Sequence, residues 1–526
     1  MNVRKIFILL SILITFSVII ISKLITPIWW LMIIFTPVII IGYIDIFQKK
    51  HTIRRNFPVI GNFRYMLEKI RPEIMQYFVE TDLDGRPINR VFRTLIYERS
   101  KKVNDTTPFG TQFDVYRVGY EFMTHSIYAK SVQSYDEDPR VLVGGKDCKQ
   151  PYSASILNIS AMSFGALSQN AILALNGGAK SGNFAHNTGE GGISPYHLEH
   201  GGDLIWQIGT GYFGCRNEKG NFSPDLFTKN ANLENVKMIE IKISQGAKPG
   251  HGGILPAKKN TAEIAQIRNV KRGVAVVSPP THTAFSSPEE LTLFIKQLRD
   301  LSNGKPVGFK LCIGRKSEFI AICKAMVKTG IKPDFITIDG GEGGTGAAPV
   351  ELTNSVGLPL REGLAFVHDT LVGFGIRDDM KIIASAKIFS GFHMIRALAL
   401  GADMCNSARA MMMAVGCIQA RECHNNNCPV GVATQKKEAM RGLVVQDKIP
   451  RVKNFHHETV HSLMEMLAVA GVKETNMIDR TYVFRRVSTT ETKRYDEIYH
   501  LPAEGCLLNE KTIPENYKSI MNDTHY

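Results

Sequence analysis

The feature that most constrains the fold is a long alternation of short apolar runs with amphipathic segments, which begins near residue 155. Eight runs have the length and composition of buried strands: 156–162, 184–188, 205–211, 237–243, 307–313, 335–340, 381–386 and 404–409. Amphipathic segments expected to be helices lie between several of them: 289–301, 317–329, 361–374 and 391–400. The alternation predicts the α/β class and a (β/α)8 TIM barrel, with a doubly wound open sheet as the alternative.

The position of the polar residues favours the barrel over the open sheet. Nearly every predicted strand ends in Gly, Ser, Asn, Lys or Asp, as in "AMSFG", "KISQGAKPG" and "NSAR". The carboxyl ends of the strands are where a TIM barrel builds its site. Two of these loops, "GTGYFG" (209–214) and "GEGGTG" (341–346), match the GxGxxG pattern. Neither has the helix and the acidic residue that a dinucleotide fold needs, so we interpret both as flexible rim loops.

The N-terminus holds two uncharged apolar runs, 6–22 and 28–44, separated by a short loop. Each just reaches the roughly 17–25 residues that a helix needs to cross a bilayer, so we expect a transmembrane helical hairpin. Arg4 and Lys5 precede it, and the basic stretch "KKHTIRR" (49–55) follows it. This pattern places both ends, and the body of the chain, on the cytoplasmic side of the membrane. A signal peptide is the alternative, but it accounts only for the first run.

Charge and cysteine content indicate the partners and the compartment. The net charge is +14, and residues 1–110 hold 16 Lys or Arg against 8 Asp or Glu. A basic cluster beside apolar helices indicates a topology signal and attraction to anionic lipid, so we expect a membrane partner and no nucleic acid. The nine cysteines are odd in number and mostly scattered, which is typical of a reducing compartment rather than of a secreted disulfide framework.

The loops after the seventh and eighth predicted strands, "ASAKIFSG" and "NSARA", lie where a barrel usually binds phosphate. The backbone N–H groups of Ser385, Ala386 and Lys387 would surround a phosphate, with Ser407 and Arg409 beside them. These loops therefore indicate a phosphate-bearing cofactor. The alternative is that Arg409 only caps a helix and forms an ion pair at the surface.

Three cysteines, Cys417, Cys423 and Cys428, lie within the stretch "CIQARECHNNNCPVG" (417–431). A three-iron cluster needs one thiolate for each iron, which three cysteines supply. With His424 as a fourth ligand, the same group would suit a four-iron cluster or tetrahedral zinc. Buried structural cysteines without metal are a further possibility. The spacing alone leaves these alternatives open.

Six stretches, in chain order, resemble the FMN-binding domain of glutamate synthase large subunits: "SAMSFGALS" (160–168), "NTGEGG" (187–192), "KISQGAKPGHGGILP" (242–256), "SPPTH" (278–282), "DGGEGGTGAAP" (339–349) and "CIQARECHNNNCPVGVATQ" (417–435). The resemblance covers about residues 150–436, and six long motifs in order are highly specific. The stretches "RPEIMQYFVETDLDGRPINR" (71–90) and "PFGTQFDVY" (108–116) are similar to a stand-alone, membrane-anchored branch of that family.

The resemblance implies an FMN cofactor and a [3Fe–4S] cluster. The family binds the cluster through cysteines spaced C-x5-C-x4-C, which is the spacing of Cys417, Cys423 and Cys428. Lys242, at the end of the fourth strand, would stabilise negative charge on the reduced flavin. By position, the implied FMN contacts are Ala161, Met162, Ser163, Lys242, Gln245, Gly340, Gly341, Ser385, Ala386, Lys387, Ser407 and Arg409.

The resemblance also implies the reaction, in which FMN delivers a hydride to 2-iminoglutarate formed from 2-oxoglutarate and ammonia. Lys248 and Arg268 match the cations that hold the dicarboxylate. Glu289 matches a glutamate that helps couple this site to a glutaminase, although it also fits a simple helix start after Pro288. The implied catalytic residues are therefore Lys242, Lys248, Arg268 and Glu289.

The chain departs from the family pattern at the substrate loop. Where the family reads "KPGEGGQLP", this chain reads "KPGHGGILP", so His251 replaces Glu and Ile254 replaces a Gln that contacts the oxoacid. We therefore expect 2-oxoglutarate or a related oxoacid as substrate. From these residues we expect neither the family's N-terminal glutaminase domain nor a nicotinamide domain in this chain. Ferredoxin or a separate reductase subunit is the expected electron donor.

Two other functions remain open at this stage. An FMN-dependent 2-hydroxy-acid dehydrogenase or oxidase would use the same barrel, but it would not need the cysteine cluster. A membrane-tethered redox protein would keep the flavin without turnover. Reduction of the bound flavin by candidate donors separates this last function from the two enzymes.

We divide the chain into four segments: a transmembrane hairpin (1–47), a juxtamembrane cap region (48–150), the barrel with its cysteine loop (151–436) and a C-terminal helical extension (437–526). Within the extension, 456–471 has the pattern of a helix that packs on the barrel. His457 and His461 lie one turn apart there, and we interpret them as part of a solvated helix face rather than as metal ligands.

Overall fold

The structure is a computed structural model that describes residues 2–103 and 106–523. It divides into two compact units, Met1–Asn89 and Arg90–Tyr526. The finer division into four segments stays a prediction.

The first unit contains the two predicted apolar helices, Val3–Ser22 and Leu31–Phe47, joined through a 3₁₀ turn at Thr26–Trp30. The helices contact each other, because Ser11 Oγ lies 3.0 Å from the hydroxyl of Tyr43. The stretches Val3–Ser22 and Thr26–Phe47 have mean hydropathies of 2.5 and 2.1, and both are long enough to cross a membrane. A signal sequence has the same properties, so the helices alone do not establish a membrane location. The unit continues with the helices Thr52–Asn56 and Gly61–Ile74 and a π-helical turn at Met75–Val79.

The second unit is built on a closed barrel of eight parallel strands, as the sequence predicts. The strands are β1 (Leu157–Ile159), β2 (His186–Asn187), β3 (Leu204–Ile208), β4 (Val236–Lys242), β5 (Val307–Cys312), β6 (Phe335–Asp339), β7 (Lys381–Ser385) and β8 (Met404–Ser407). Pairing of β8 with β1, with Asn406 opposite Asn158, closes the barrel. Each strand overlaps its predicted run, and the open-sheet alternative is excluded.

Helices cover the outside of the barrel: Gln169–Gly182, Pro195–Leu198, Pro224–Ala231, Pro288–Leu301, Lys316–Thr329, Leu360–Gly373, Gly391–Ala399 and Arg409–Ala414. Local sequence explains where they begin. Ser287 caps Pro288–Leu301, since its hydroxyl accepts from the N–H of Glu290 and proline occupies the first helical position. The long loop after β4 contains a helix, Ala262–Arg268, and a hairpin that pairs Ile254–Leu255 with Val276–Val277.

The C-terminal region packs on the barrel through one long helix, Val445–Ala470, which begins before the predicted start at 456. Gly178 on the barrel helix permits this packing, because a Cβ there would lie 2.5 Å from the Val452 side chain. His456 is buried, with its Nε2 atom 2.9 Å from Ser155 Oγ. His457, by contrast, has a side chain 43% exposed, in accord with the predicted solvated face.

The rest of the C-terminal region is not helical throughout, as the predicted extension would be. Strands Val483–Arg486 and Thr492–Arg494 form an antiparallel sheet with Glu121–Met123. Glu121 is buried and accepts hydrogen bonds from Arg361 and Arg396 on two barrel helices. Burial alone would raise the pKa of Glu121, but these arginines outweigh it and lower the pKa. The sheet is therefore clamped to the barrel.

The second unit also contains the helix Arg90–Lys101, the antiparallel strands Arg140–Val143 and Tyr152–Ser155, and the short helices Val350–Ser355, Lys437–Met440, Tyr495–Ile498 and Glu515–Met521.

Candidate active site

The ends of β1 and β7 meet at one side of the barrel mouth. Ser160 directly follows β1, and its hydroxyl lies 2.9 Å from that of Ser385, the last residue of β7. Both side chains are buried, as is that of Met162, while Ala161 and Ser163 are half-buried. The structure thus brings the ends of the first and seventh strands together, and the predicted FMN contacts Ala161, Met162 and Ser163 directly follow Ser160.

The end of β8 is fastened to the loop after β7. The Ser407 hydroxyl donates to the carbonyl of Ile388 at 2.6 Å. Ala386 and Lys387, which precede Ile388 in this loop, are both half-buried. Lys387 has a φ of 48°, in the left-handed region. Non-glycine residues adopt this region at an energetic cost, which is common where a loop is shaped around a ligand.

Arg409 begins the helix after β8 and is half-buried. Its Nη2 donates to the carbonyl of Glu342 at 2.9 Å, and a Cβ at Gly344 would lie 2.7 Å from its Nε. Burial lowers the pKa of Arg409. Among residues 2–103 and 106–523 it has no ion-pair partner, so the surface ion pair considered above is not formed.

Lys242 ends β4 and forms a buried ion pair with Glu190, which lies in the loop after β2. The Nζ–Oε1 distance is 2.7 Å, and the side chains are 8% and 15% exposed. Burial alone would raise the pKa of Glu190, but the three cations around it outweigh burial and lower the pKa. Two glycines make room for the carboxylate, since a Cβ at Gly209 or Gly253 would lie 2.5 or 2.4 Å from its oxygens.

Lys248 is the second cation and is also buried. Its Nζ donates to the carbonyl of Ala347, in the loop after β6, at 3.0 Å. Burial, followed by the charge of Lys242, lowers the pKa of Lys248 to about 8, and Glu190 opposes this shift. Lys248 is therefore a cation that can lose its proton near neutral pH.

Arg268, at the end of the helix Ala262–Arg268, is the third cation. Its Nη2 donates to the Phe164 carbonyl at 2.9 Å and lies 3.4 Å from Ser163 Oγ. In the described chain its Nε has no hydrogen-bond partner, although the side chain is buried. Burial lowers the pKa of Arg268 to about 10, while Glu190 raises it. The group of Lys242, Lys248, Arg268 and Glu190 thus holds more positive than negative charge in a buried place.

The loop after β4 is fastened to the end of β6. Asp339 accepts from the N–H of Gly246 at 3.0 Å and pairs with Lys310 at 3.2 Å. A Cβ at Gly246 would lie 1.9 Å from the carbonyl oxygen of Gly340, so this close approach requires glycine. Gln245 is half-buried beside them. These contacts fix the backbone between the two lysines of the site.

His282 contacts the backbone of Lys242. Its Nε2 lies 2.8 Å from the Lys242 carbonyl oxygen, and its Nδ1 lies 3.1 Å from the hydroxyl of Tyr212. That hydroxyl accepts from the N–H groups of Thr283 and Ala284, so its proton is directed to Nδ1. Burial lowers the pKa of His282 to about 4. His282 is therefore neutral, with the proton on Nε2.

The two departures from the family loop lie close to these groups in the sequence. His251 is half-buried, and its Nδ1 lies 2.8 Å from the carbonyl oxygen of Gly252. Ile254 is half-buried at the start of the hairpin.

The three cysteines lie in the loop that follows the helix Arg409–Ala414. Cys428 is buried, whereas Cys417 and Cys423 are half-buried. Burial is the main cause that raises the pKa of Cys417 to about 12, and the other two thiols add to it. Within the described residues, no three His, Cys, Asp or Glu side chains form a group that could hold one metal ion. Cluster thiolates each bind a different iron, so they need not converge on one point.

The backbone of the cysteine loop is unusual. Gln419, Arg421 and Asn426 have φ values of 58°, 59° and 69°. The Asn426 Oδ1 atom accepts from the Gln435 N–H at 2.7 Å and from the Thr434 hydroxyl at 3.0 Å. Asn426 therefore connects the middle of the loop to its C-terminal end.

The cysteine loop lies beside the loop after β1. The Gln435 side-chain amide donates to the carbonyls of Gly165 and Leu167, at 3.2 and 2.9 Å. Lys259 is buried, and its Nζ also donates to this loop, at 2.8 Å. Burial lowers the pKa of Lys259 to about 8, while two of the cysteines raise it and Arg268 lowers it. The charge state of Lys259 therefore depends both on cysteines of this loop and on Arg268 of the cation group.

Glu289 lies apart from this site. It is in the first turn of its helix, its side chain is 43% exposed, and its carboxylate is 3.5 Å from Lys328 Nζ. Its family role stays a prediction.

Sequence reasoning did not assign roles to Glu190, Asp339 or His282, although each lies in a motif that had been singled out. The sequence marks each of them only as a polar residue just after a strand or within a stretch that resembles the family. Their partners, however, come from other strands and emerge only in three dimensions.

Comparison with known proteins gives consistent relatives. Residues 110–473 match the model of the conserved region in glutamate synthase. Glutamate synthase large subunit-like protein YerD of Bacillus subtilis is 36% identical over 510 residues, covering 89% of this chain and 97% of YerD.

Two other relatives are longer than the matched part. An archaeal glutamate synthase [NADPH] from Methanocaldococcus jannaschii is 35% identical, covering 60% of this chain and 58% of its own length. A chloroplastic ferredoxin-dependent glutamate synthase from Oryza sativa is 36% identical, covering 52% of this chain and 17% of its own length. The chain therefore corresponds to only part of these two proteins.

Proposed function

Because the chain belongs to the glutamate synthase family, we propose that it reductively aminates 2-oxoglutarate or a related oxoacid, with FMN as hydride donor and a [3Fe–4S] cluster as electron relay. Family membership places it among the oxidoreductases that act on CH–NH2 donors. Ammonium is the nitrogen source in this proposal.

The buried excess of positive charge is the observation that carries the proposal. Three cations, Lys242, Lys248 and Arg268, surround a single carboxylate, that of Glu190. Unpaired charge is costly in a buried site, so the group is suited to an anionic ligand. A dicarboxylate oxoacid would supply the two missing negative charges, and the unpartnered Arg268 Nε offers a donor to one carboxylate.

The residues at the ends of β1, β7 and β8 fit FMN. The Arg409 guanidinium forms no ion pair within the described chain and donates to the Glu342 carbonyl. The Ser160 and Ser385 hydroxyls meet where β1 and β7 end. Arg409 and the N–H groups after Ser385 would hold the phosphate, and Lys242 would lie near negative charge on the ring. Reduced FMN, when bound, supplies the hydride.

The proton chemistry falls to this chain's own residues. Lys248 has a pKa of about 8, so it can donate a proton to the substrate and regain it from solvent. Arg268, with a pKa of about 10, keeps its charge and orients a carboxylate. Glu190 holds the Lys242 side chain in place through their ion pair at 2.7 Å. Neutral His282 fixes the backbone of Lys242 without adding charge.

The cysteine loop fits an iron–sulfur cluster. Cys417, Cys423 and Cys428 are gathered in one loop, and their thiols influence one another. Thiolate ligation would remove the cost of burying these groups next to the amine of Lys259. The contact of this loop with the loop after β1 supports a short path between cluster and flavin.

Two features limit the substrate and the donor. Ile254 cannot form the hydrogen bond that a glutamine amide would make with an oxoacid. We therefore include oxoacids related to 2-oxoglutarate among the substrates. Ferredoxin or an NADPH-linked reductase subunit would supply electrons, in line with the names of two relatives.

We place the two apolar helices in the cytoplasmic membrane and the barrel in the cytoplasm, because basic residues flank both ends of the hairpin.

Cofactor analysis tests this proposal. Flavin released from the purified chain should elute as FMN, and the protein should contain iron with a three-iron EPR signal in the oxidised state. Each of Cys417→Ser, Cys423→Ser and Cys428→Ser should remove that signal and leave the FMN. FAD in place of FMN, or stoichiometric zinc in place of iron, would refute it.

A further inference from the structure

The helix Gly61–Ile74 in the first unit carries an exposed apolar stripe. Phe63, Met66, Leu67 and Ile70 are 59%, 48%, 53% and 41% exposed. Their spacing places them on one face of the helix, because residues three and four apart are neighbours on a helix surface. The exposed Tyr77 and Phe78, in the turn after the helix, continue the apolar character. Soluble surfaces rarely leave such a stripe open.

The rest of the helix surface is polar or already occupied. Arg64 and Glu68 form an exposed ion pair at 3.1 Å, one turn apart. Tyr65 is occupied by the Arg54 guanidinium, which lies 4.5 Å from the centre of its ring. The helix is therefore amphipathic, with one apolar face.

The amphipathic helix begins directly beside the second apolar helix, Leu31–Phe47. Asp45 in that helix is buried, and its carboxylate accepts from the Val59 N–H at 2.9 Å and from the Asn62 side-chain amide. The helix that carries the apolar stripe is thus attached at its start to a hairpin whose own surface is largely exposed and apolar.

The charge around the helix is strongly positive. Residues 48–74 hold seven Lys or Arg and two acidic residues. Basic residues near an anionic membrane surface strengthen binding to it. The same charge would repel a second copy of this segment, so an anionic lipid surface is the better partner for the stripe.

We propose that Gly61–Ile74 is an interfacial helix that lies flat on an anionic membrane, with Phe63, Met66, Leu67 and Ile70 inserted at the boundary between headgroups and acyl chains. Amphipathic helices with flanking Lys and Arg bind membranes in this way. The proposal extends the membrane contact beyond the hairpin, and it does not depend on the catalysed reaction.

Photo-crosslinking of the full chain tests the insertion. The photoreactive p-benzoylphenylalanine would replace Phe63, Ile70 or, as the control on the polar face, Glu68, in nanodiscs that contain phosphatidylcholine and phosphatidylglycerol. The expected result is lipid adducts from positions 63 and 70 and none from 68. Adducts to a second copy or to other protein, or equal lipid labelling at all three positions, would overturn the proposal.

Hydrogen exchange provides an independent test of the anionic partner. Amides of residues 61–74 should be protected at least tenfold more in nanodiscs with phosphatidylglycerol than in phosphatidylcholine alone. Leu67→Asp should lose this protection, whereas Glu68→Gln should keep it. Equal protection in both lipids, or in both variants, would contradict the proposal.

Discussion

At the scale of single residues, Glu190 sets the charge state of the candidate site. It pairs with Lys242 and raises the pKa values of both Lys248 and Arg268, opposing the effect of burial. Glu190 comes from the loop after β2 and Lys242 from the end of β4, and the two are 52 positions apart in the chain. The lysine was predicted through the family resemblance, but no local pattern links it to the glutamate, because the barrel brings the two together.

The first residue-scale prediction concerns pH. The pKa of Lys248 is lowered to about 8, first by burial and then by Lys242, so the amine loses its charge as pH rises through that value. The affinity for a dicarboxylate oxoacid should therefore be full below pH 8 and fall above it, by up to about tenfold for each pH unit. Titration of 2-oxoglutarate against the oxidised protein measures this dissociation constant.

Lys248→Arg is the matched variant for this titration, because a guanidinium stays charged throughout the range. Its oxoacid affinity should not fall near pH 8. A wild-type affinity that is independent of pH between 7 and 9 would show that Lys248 does not bind the substrate.

The second residue-scale prediction concerns the space around Glu190. In Gly253→Ala the new Cβ would lie 2.4 Å from Glu190 Oε1, so the carboxylate must move and its bond to Lys242 is lost. Loss of a charged hydrogen bond costs about 1.5–3 kcal/mol. The thermal midpoint of the barrel should fall and oxoacid binding should weaken.

Gly314→Ala is the control, since a Cβ at this exposed glycine meets nothing within 4 Å. It should leave both measurements unchanged. A Gly253→Ala variant that behaves like this control would mean that the ion pair has no role in stability or binding.

At the scale of elements, the barrel strands were predictable and the loops between them were not. Each strand is a continuous apolar run that ends in a polar residue, which is a local signal, and all eight predicted runs contain strands. The loop after β4, by contrast, owes its shape to Asp339 and Gly340 at the end of β6. The strands near the C-terminus were missed because they are short and pair with the distant strand Glu121–Met123.

The element-scale prediction concerns the cysteine loop. Asn426→Ala removes the side-chain acceptor for the Gln435 N–H, and it places alanine at a φ of 69°. The left-handed conformation alone costs about 1–2 kcal/mol for a residue other than glycine. The iron content per flavin should therefore fall in this variant, as measured by metal analysis and flavin absorbance.

Asn427→Ala serves as the neighbouring control, because Asn427 is exposed and bonds only to Lys436 and Asn425 in the described chain. Its iron content should match the wild type. Full iron occupancy in Asn426→Ala would show that the loop binds iron without the hydrogen bond of the Asn426 side chain.

At the scale of the whole molecule, the chain divides into a unit with two apolar helices and a unit built on the barrel. Basic residues flank the hairpin on both sides, so both ends should face the cytoplasm. An alkaline phosphatase fused to the C-terminus should be inactive, because that enzyme needs the oxidising periplasm. A fusion placed between the helices, after Lys23, should be active; the opposite pattern would reverse the topology.

The central claim is that the buried cations hold an oxoacid where reduced flavin can act on it. The most direct test reduces the flavin of the purified chain chemically, without oxygen, and then adds 2-oxoglutarate or related oxoacids with ammonium. We expect the wild type to reoxidise its flavin and to form an equivalent amount of the amino acid. A Lys248→Ala variant that retains its FMN should do neither. Absence of reoxidation with every oxoacid, or wild-type turnover in Lys248→Ala, would contradict it.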